Sequence, residues 1–151
     1  MIIEDVVTKL EYSVAKQKIG LKKLARLAKF LRSLKRSQFD YSSYADFDEY
    51  KLTPDQCTAK HPCCSTACAL GWATVLFRNL RLRGNFVVNL ETENEDNRAA
   101  SETFYITEEE AEYLFVPSYS TEKNEENATP KYVAKKIEKF IKKKQKELSQ
   151  V

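Results

Sequence analysis

The chain has 151 residues, 42% hydrophobic and 31% charged, with a net charge of +3, enough for one domain with its own apolar core. No apolar run approaches the roughly 18–20 residues of a membrane span, and three glycines with four prolines are too few for an all-β fold of many tight turns. Met1-Ile2-Ile3-Glu4-Asp5 lacks the basic start of a signal peptide, so the expected location is the cytoplasm, with the cysteines as thiols rather than disulfides.

The small net charge hides three blocks. Thr8 to Arg36 holds ten Lys/Arg and one acid, Glu11. Glu91 to Ala128 holds twelve Asp/Glu and two bases, Arg98 and Lys123. Pro130 to Val151 holds eight lysines and two glutamates. Such blocks form solvated helix faces, or a basic surface that attracts a polyanion or a phosphorylated ligand. The acidic block and a pI near 8.6 argue against nucleic acid as the partner.

Ile3, Val6, Val7, Leu10 and Val14 recur at helical spacing and predict a first helix over 3–17, broken by Gly20. Leu21, Leu24, Leu27, Ala28, Leu31 and Leu34 predict a second, amphipathic helix with its cations on the opposite face. Over 37–52, Phe39, Tyr41, Tyr44, Phe47 and Tyr50 interleave with carboxylates and fit no period, which reads as an aromatic loop over the core. Thr53-Pro54-Asp55-Gln56 has the form of a helix start, and Pro62 ends that short helix. A further helix is expected from Cys64–Thr66 to Leu80, apolar nearly all round and therefore central and buried. Asn85 to Leu90 reads as a strand with Glu102 to Ile106 as its partner, joined by a mobile loop over 91–101. Thr107-Glu108-Glu109-Glu110 is a capping-box pattern that opens a short helix. A second loop is expected over 118–128. Thr129-Pro130 opens the last helix, striped by Val133, Ile137, Phe140 and Ile141, with a frayed tail over 145–151. The expected fold is therefore mainly α with minor β: a single helical domain around a buried central helix at about 66–80, with a small β-hairpin near 85–106.

The most concentrated segment is Cys63-Cys64-Ser65-Thr66-Ala67-Cys68-Ala69-Leu70-Gly71-Trp72-Ala73, with three of the four cysteines and the only tryptophan. It resembles the C-G-T-x-A-C-x-x-G-[HW]-A segment of a family of small, largely uncharacterised proteins from bacteriophages and bacteria. Phe39-Asp40-Tyr41-Ser42-Ser43-Tyr44 is similar to that family's F-D-x-x-x-[WY] stretch. Ile106 to Pro117 is similar to its L-T-x-x-[EQ]-A-x-x-L-F-x-P stretch, and Thr129-Pro130 with Val133 to its closing T-P-x-x-V helix. Cys63 and Cys68 fall on the family's two cysteines, and Cys64 stands where it has glycine. The resemblance implies a mainly helical fold and a phage source, hence a host-cell cytoplasm, and brings no activity with it.

Three constellations carry possible chemistry. Cys57, His61, Cys63 and Cys68, with Cys64 among them, supply enough soft ligands for a zinc ion, but without paired C-x2-C knuckles. Cys63 or Cys64 at a helix start would have a lowered pKa, yet no triad and no loop-closing arginine accompanies them, so no enzyme is expected. Cys64, Ser65, Thr66 and Ala67 would present amides and hydroxyls at the positive end of a helix, which suits a phosphate. Tyr41, Tyr44, Lys22 and Arg26 would complete a nucleotide-sized pocket. The leading expectation is a non-enzymatic phage accessory protein, with an anti-defence role, that sequesters a phosphorylated or nucleotide-derived small molecule. The alternatives are a protein-binding inhibitor of a host enzyme and a small zinc protein. A bound nucleotide absorbs at 260 nm, an inhibitor co-purifies with its partner, and a zinc protein carries about one metal per chain. Homodimerisation through an exposed apolar stripe is a further expectation.

Overall fold

The computed structural model describes residues 12–35, 69–83, 86–116 and 128–150. Among them stand five helices and one two-stranded antiparallel sheet, so the fold is mainly α with minor β. The helices are α1 (Val14–Arg32), α2 (Ala69–Leu76), α3 (Asp96–Phe104), α4 (Glu108–Phe115) and α5 (Pro130–Leu148). The strands are β1 (Leu80–Arg83) and β2 (Phe86–Asn89).

Helix α1 starts where Ser13 Oγ accepts from the Lys16 amide at 3.2 Å. It then runs straight through Gly20, where the sequence predicts a break. A glycine inside a helix costs about 1 kcal/mol relative to alanine. Here it admits the end of α3, because a Cβ at Gly20 would lie 1.7 Å from the Phe104 carbonyl oxygen. Val14, assigned above to a separate first helix, thus begins the helix that carries Leu21, Leu24, Leu27, Ala28 and Leu31 into the core. The rest of that expected first helix, before Tyr12, lies outside the described residues. So do the aromatic segment at 37–52, the Thr53 helix start and the loop at 118–127.

Helix α2 buries Ala69, Leu70, Gly71, Trp72 and Ala73 on every side, as an all-apolar helix must. The ring of Trp72 is fully buried, with the Phe30 ring 5.8 Å away. The helix ends at Leu76, earlier than the expected Leu80, because Leu80-Arg81-Leu82-Arg83 alternates apolar and charged and forms β1. Strand β2 is the one expected near 85–90, but its partner is β1, paired in the register Leu80↔Asn89 to Arg83↔Phe86. The two residues between the strands, Gly84 and Asn85, lie outside the described residues.

The expected partner strand, Glu102 to Ile106, falls instead mostly within α3. Ala99, Ala100, Thr103 and Phe104 recur at one-turn spacing and are all buried, so tertiary packing outweighs the local β-preference of Thr103, Phe104 and Tyr105. The expected loop at 91–101 shrinks accordingly. A turn closed by Asn89 N donating to Asn94 O at 2.8 Å leads straight into α3. Helix α4 carries the expected capping box: Glu110 N donates to Thr107 Oγ1 at 3.0 Å and Thr107 N to Glu110 Oε1 at 2.9 Å.

Helix α5 is capped by Thr129 with Pro130 in its first turn, as expected. It continues through Leu148 rather than fraying from 145, because Leu148 packs half-buried against the core at the end of the stripe of Val133, Ile137 and Ile141. Helices α1 and α5 pack antiparallel, with Arg32 beside Glu138 and Lys22 beside Gln145 and Leu148. Phe104 links the layers, its ring 5.3 Å from that of Phe77 and 5.5 Å from that of Phe115. No helix among the described residues is long and apolar enough to cross a membrane.

Candidate anion-binding face

Of the residues expected to hold a ligand, Cys64, Ser65, Thr66, Ala67, Tyr41 and Tyr44 lie outside the described residues, as do the zinc candidates Cys57, His61, Cys63 and Cys68. Among the described residues no group of three His, Cys, Asp or Glu is placed to hold a metal. Lys22 and Arg26 are described, one turn apart on α1 and both exposed. They point to different neighbours. The Arg26 guanidinium lies 5.6 Å from the centre of the Phe77 ring, on the side of α2. Lys22 lines a groove of about 280 Å³ against the end of α5. The structure therefore does not join these two cations into one pocket.

The groove has Leu21 and Leu148 as apolar lining, Lys18 and Lys22 on one rim, and Gln145 and Ser149 on the other. Ser149 Oγ donates to the Lys146 carbonyl at 2.8 Å, which closes the helix end. The C-terminal end of α5 carries the negative pole of its dipole, so Lys18 and Lys22 are stabilised there. That accounts for two cations. It does not account for those that continue along the same seam.

At the C-terminal end of α1 Arg32 grips Glu138, near the middle of α5, with two bonds, Nε to Oε2 at 2.8 Å and a terminal nitrogen to Oε1 at 2.6 Å. Those bonds and the charge of Arg32 hold the Glu138 carboxyl below its ordinary range, and Lys142 and Lys135 lower it further. The same pair raises the Arg32 guanidinium above its ordinary value. Arg32 of α1 thus bonds the carboxylate, and Lys135 and Lys142 stand within about one turn of it on α5. Parts of the two basic blocks meet along this seam: Lys18, Lys22, Lys29 and Arg32 share one side of α1, while Lys16 and Lys23 lie at Tyr105 and Arg26 at Phe77. Of the eight lysines and two glutamates of α5, Lys135 and Lys142 flank Glu138, whereas Lys136, Lys139 and Lys143 face α4. The second glutamate, Glu147, faces Lys144, which also binds Glu110 of α4 at 2.5 Å.

Apart from Glu147, the exposed carboxylates of the described residues lie elsewhere. Glu91, Glu93 and Glu95 occupy the turn after β2, and Glu108, Glu109 and Glu112 lie on α4. Between α4 and α5 a second groove of about 330 Å³ has walls of both signs, Glu109 and Glu110 against Lys139 and Lys143, with Tyr113 and Phe140. Mixed walls favour a peptide over an anion.

A polar cluster under the β2–α3 turn has a structural role. Glu102 accepts from three neutral donors: Asn89 Nδ2 at 3.1 Å, Thr92 Oγ1 at 2.6 Å and Asn94 Nδ2 at 2.7 Å. Asn79 Nδ2 donates to Thr103 Oγ1 at 2.9 Å beside it. The donors satisfy the carboxylate and clamp the turn onto α3.

Sequence reasoning singled out Lys22 but missed Lys18, Leu21, Gln145 and Leu148 beside it. The signal was available, since Leu148 extends the i, i+4 stripe of α5 into the region read as a frayed tail. No family model matches this chain, and no curated protein or solved structure is significantly similar to it.

Proposed function

We propose that this chain is a non-enzymatic binding protein that captures a phosphate-bearing ligand on the α1–α5 seam. The observation that carries the reading is the doubly bonded Arg32–Glu138 pair, with Lys135 and Lys142 within about one turn of Glu138 on α5, continued by Lys18 and Lys22 along a groove with an apolar floor. Lysines in such an array act as point charges that neutralise phosphate oxygens. Sequestration of a nucleotide-derived molecule, with an anti-defence role, is the specific form of this reading; only its phage setting draws on the family resemblance, which brings no activity. The rival reading, a protein-binding inhibitor, draws on the mixed-charge groove beside Tyr113, a residue 52% exposed.

Isothermal titration with ATP at low salt tests the proposal. Binding should weaken as salt rises and drop about tenfold in Lys22→Glu, as loss and reversal of one phosphate contact implies. A chain that binds no ATP at low salt, or binds it equally well with Lys22 reversed, contradicts the proposal.

A further inference from the structure

We infer that the α1–α5 seam docks the phosphate backbone of a nucleic-acid duplex. The inference rests on the phosphate-binding reading above and narrows its ligand to an extended polyanion.

Charge complementarity comes first. The pI and the acidic block argue against nucleic acid only while the charges are pooled. Folding largely separates them: apart from Glu147 on α5, which faces Lys144, the exposed carboxylates among the described residues gather on α4 and the turn after β2, while Lys18, Lys22, Lys29 and Arg32 line one side of α1. The one carboxylate within the seam, Glu138, is engaged by Arg32. Extent comes second. Lys18 to Lys29 spans about 16 Å of helix, and each 19-residue helix is about 28 Å long. At 3.4 Å per base pair the charged span from Lys18 to Lys29 matches about five pairs of duplex, beyond one nucleotide. The groove at the end of α5 covers only part of this line of charge.

The chemistry of the face selects among polyanions. Single strands bind by stacking bases on aromatic rings. The exposed rings among the described residues are Phe86 on β2, Tyr113 on α4 and Tyr132 on α5. Tyr132 shares the helical row of Lys136, Lys139 and Lys143, which faces α4 rather than the seam. A duplex needs no stacking platform, because its backbone is contacted from outside. A membrane surface would require an apolar face free to enter the lipid. Both helices commit theirs to the core, and Ile19 is the one large exposed aliphatic side chain described on either.

The test is fluorescence anisotropy of the full chain with a labelled duplex of about 20 base pairs and arbitrary sequence, across a salt series. About five phosphate contacts predict a slope of log K against log salt near −4.5. The double variant Lys22→Glu/Lys142→Glu should weaken binding at least about tenfold and flatten the slope by about 2. The charge-matched control Arg78→Glu/Arg81→Glu, on exposed residues away from the seam, should bind like the parent. Should the charge reversals unfold the chain, as circular dichroism would show, Lys22→Gln/Lys142→Gln should give the same flattening. Absence of duplex binding at low salt, or equal weakening by seam and control variants, overturns the inference. Binding of ATP but not duplex overturns it and leaves the phosphate-binding reading standing; binding of neither removes both. Binding of phosphatidylserine vesicles without duplex binding also overturns it.

Discussion

Replacing Gly20 with alanine tests the packing that holds the seam in place. The new Cβ would meet the Phe104 carbonyl oxygen at 1.7 Å, its carbon at 2.6 Å and the Tyr105 Cβ at 3.3 Å. The first two are backbone atoms and cannot rotate away. Restoring an ordinary carbon–oxygen contact of about 3.2 Å requires α1 and the end of α3 to separate by about 1.5 Å. That movement strains the hydrogen bond from Lys23 Nζ to the Thr103 carbonyl, 3.2 Å long, and the ring packing of Phe104 on Phe77 and Phe115. Overpacking a close-packed site costs about 1–3 kcal/mol or more, and a clash with backbone belongs at the upper end. Alanine's better helix propensity returns about 1 kcal/mol. The net expectation is a loss of about 2 kcal/mol, or roughly 4–8 °C in Tm for a chain of this size. Urea unfolding followed by circular dichroism measures it, with Ile19→Ala, on a half-exposed neighbour, as a control expected within about 0.5 kcal/mol of the parent. A Gly20→Ala chain as stable as the parent, or more stable, would refute the close approach of α1 and α3.

Glu102→Gln places an amide where three donors converge; if its NH2 meets one of them, the turn loses about 1–3 kcal/mol of clamping, visible as faster amide exchange at Asn94. Asp96 has its pKa raised chiefly by burial, against the lowering effect of the Val87 amide, with the charge of Glu95 also raising it. Its ionised form therefore opposes folding: the stability it contributes is complete below its unfolded pKa and lost as pH rises through the folded one. Asp96→Asn keeps an acceptor for Val87 N and tolerates the φ of 54° at this position, so its Tm should exceed the parent's at pH 7 and converge with it near pH 3. Glu138 has the opposite sign. Its lowered pKa makes its contribution present above the unfolded value and lost as pH falls through the folded one. Glu138→Gln should thus lower Tm slightly at pH 7 and not in strong acid, while tightening ATP binding several-fold by removing the seam's carboxylate. Looser ATP binding in that variant would contradict the proposed site.

Local chemistry was the most legible part of the sequence. Thr107 with Glu110, and Thr129 with Pro130, declare their helix starts through side-chain capping and a fixed φ, which depend on three or four adjacent residues. The all-apolar run from Ala69 to Ala73 declared a buried helix for the same reason. Failures came where distant residues decide. Gly20 reads as a breaker until the carbonyl of Phe104, more than eighty residues on, occupies the space a side chain would fill. Thr103-Phe104-Tyr105 reads as a strand until Ala99 and Ala100 join it on one buried helical face. The alternation of Leu80-Arg81-Leu82-Arg83 was present in the sequence, but the preceding helix pattern absorbed it. The seam was half legible. Each basic block stands out, yet nothing local brings Arg32 to Glu138, 106 residues away. Antiparallel burial of the two leucine- and isoleucine-rich stripes does that.

The most direct measurement is a titration of the isotopically labelled chain with ATP, followed by amide chemical shifts. Shifts should move together in α1 around Lys18 to Arg32 and in α5 around Lys135 to Ser149. Perturbation confined to Tyr41, Tyr44 and Cys64 to Ala67, with both basic helices silent, would contradict capture of the ligand on the seam.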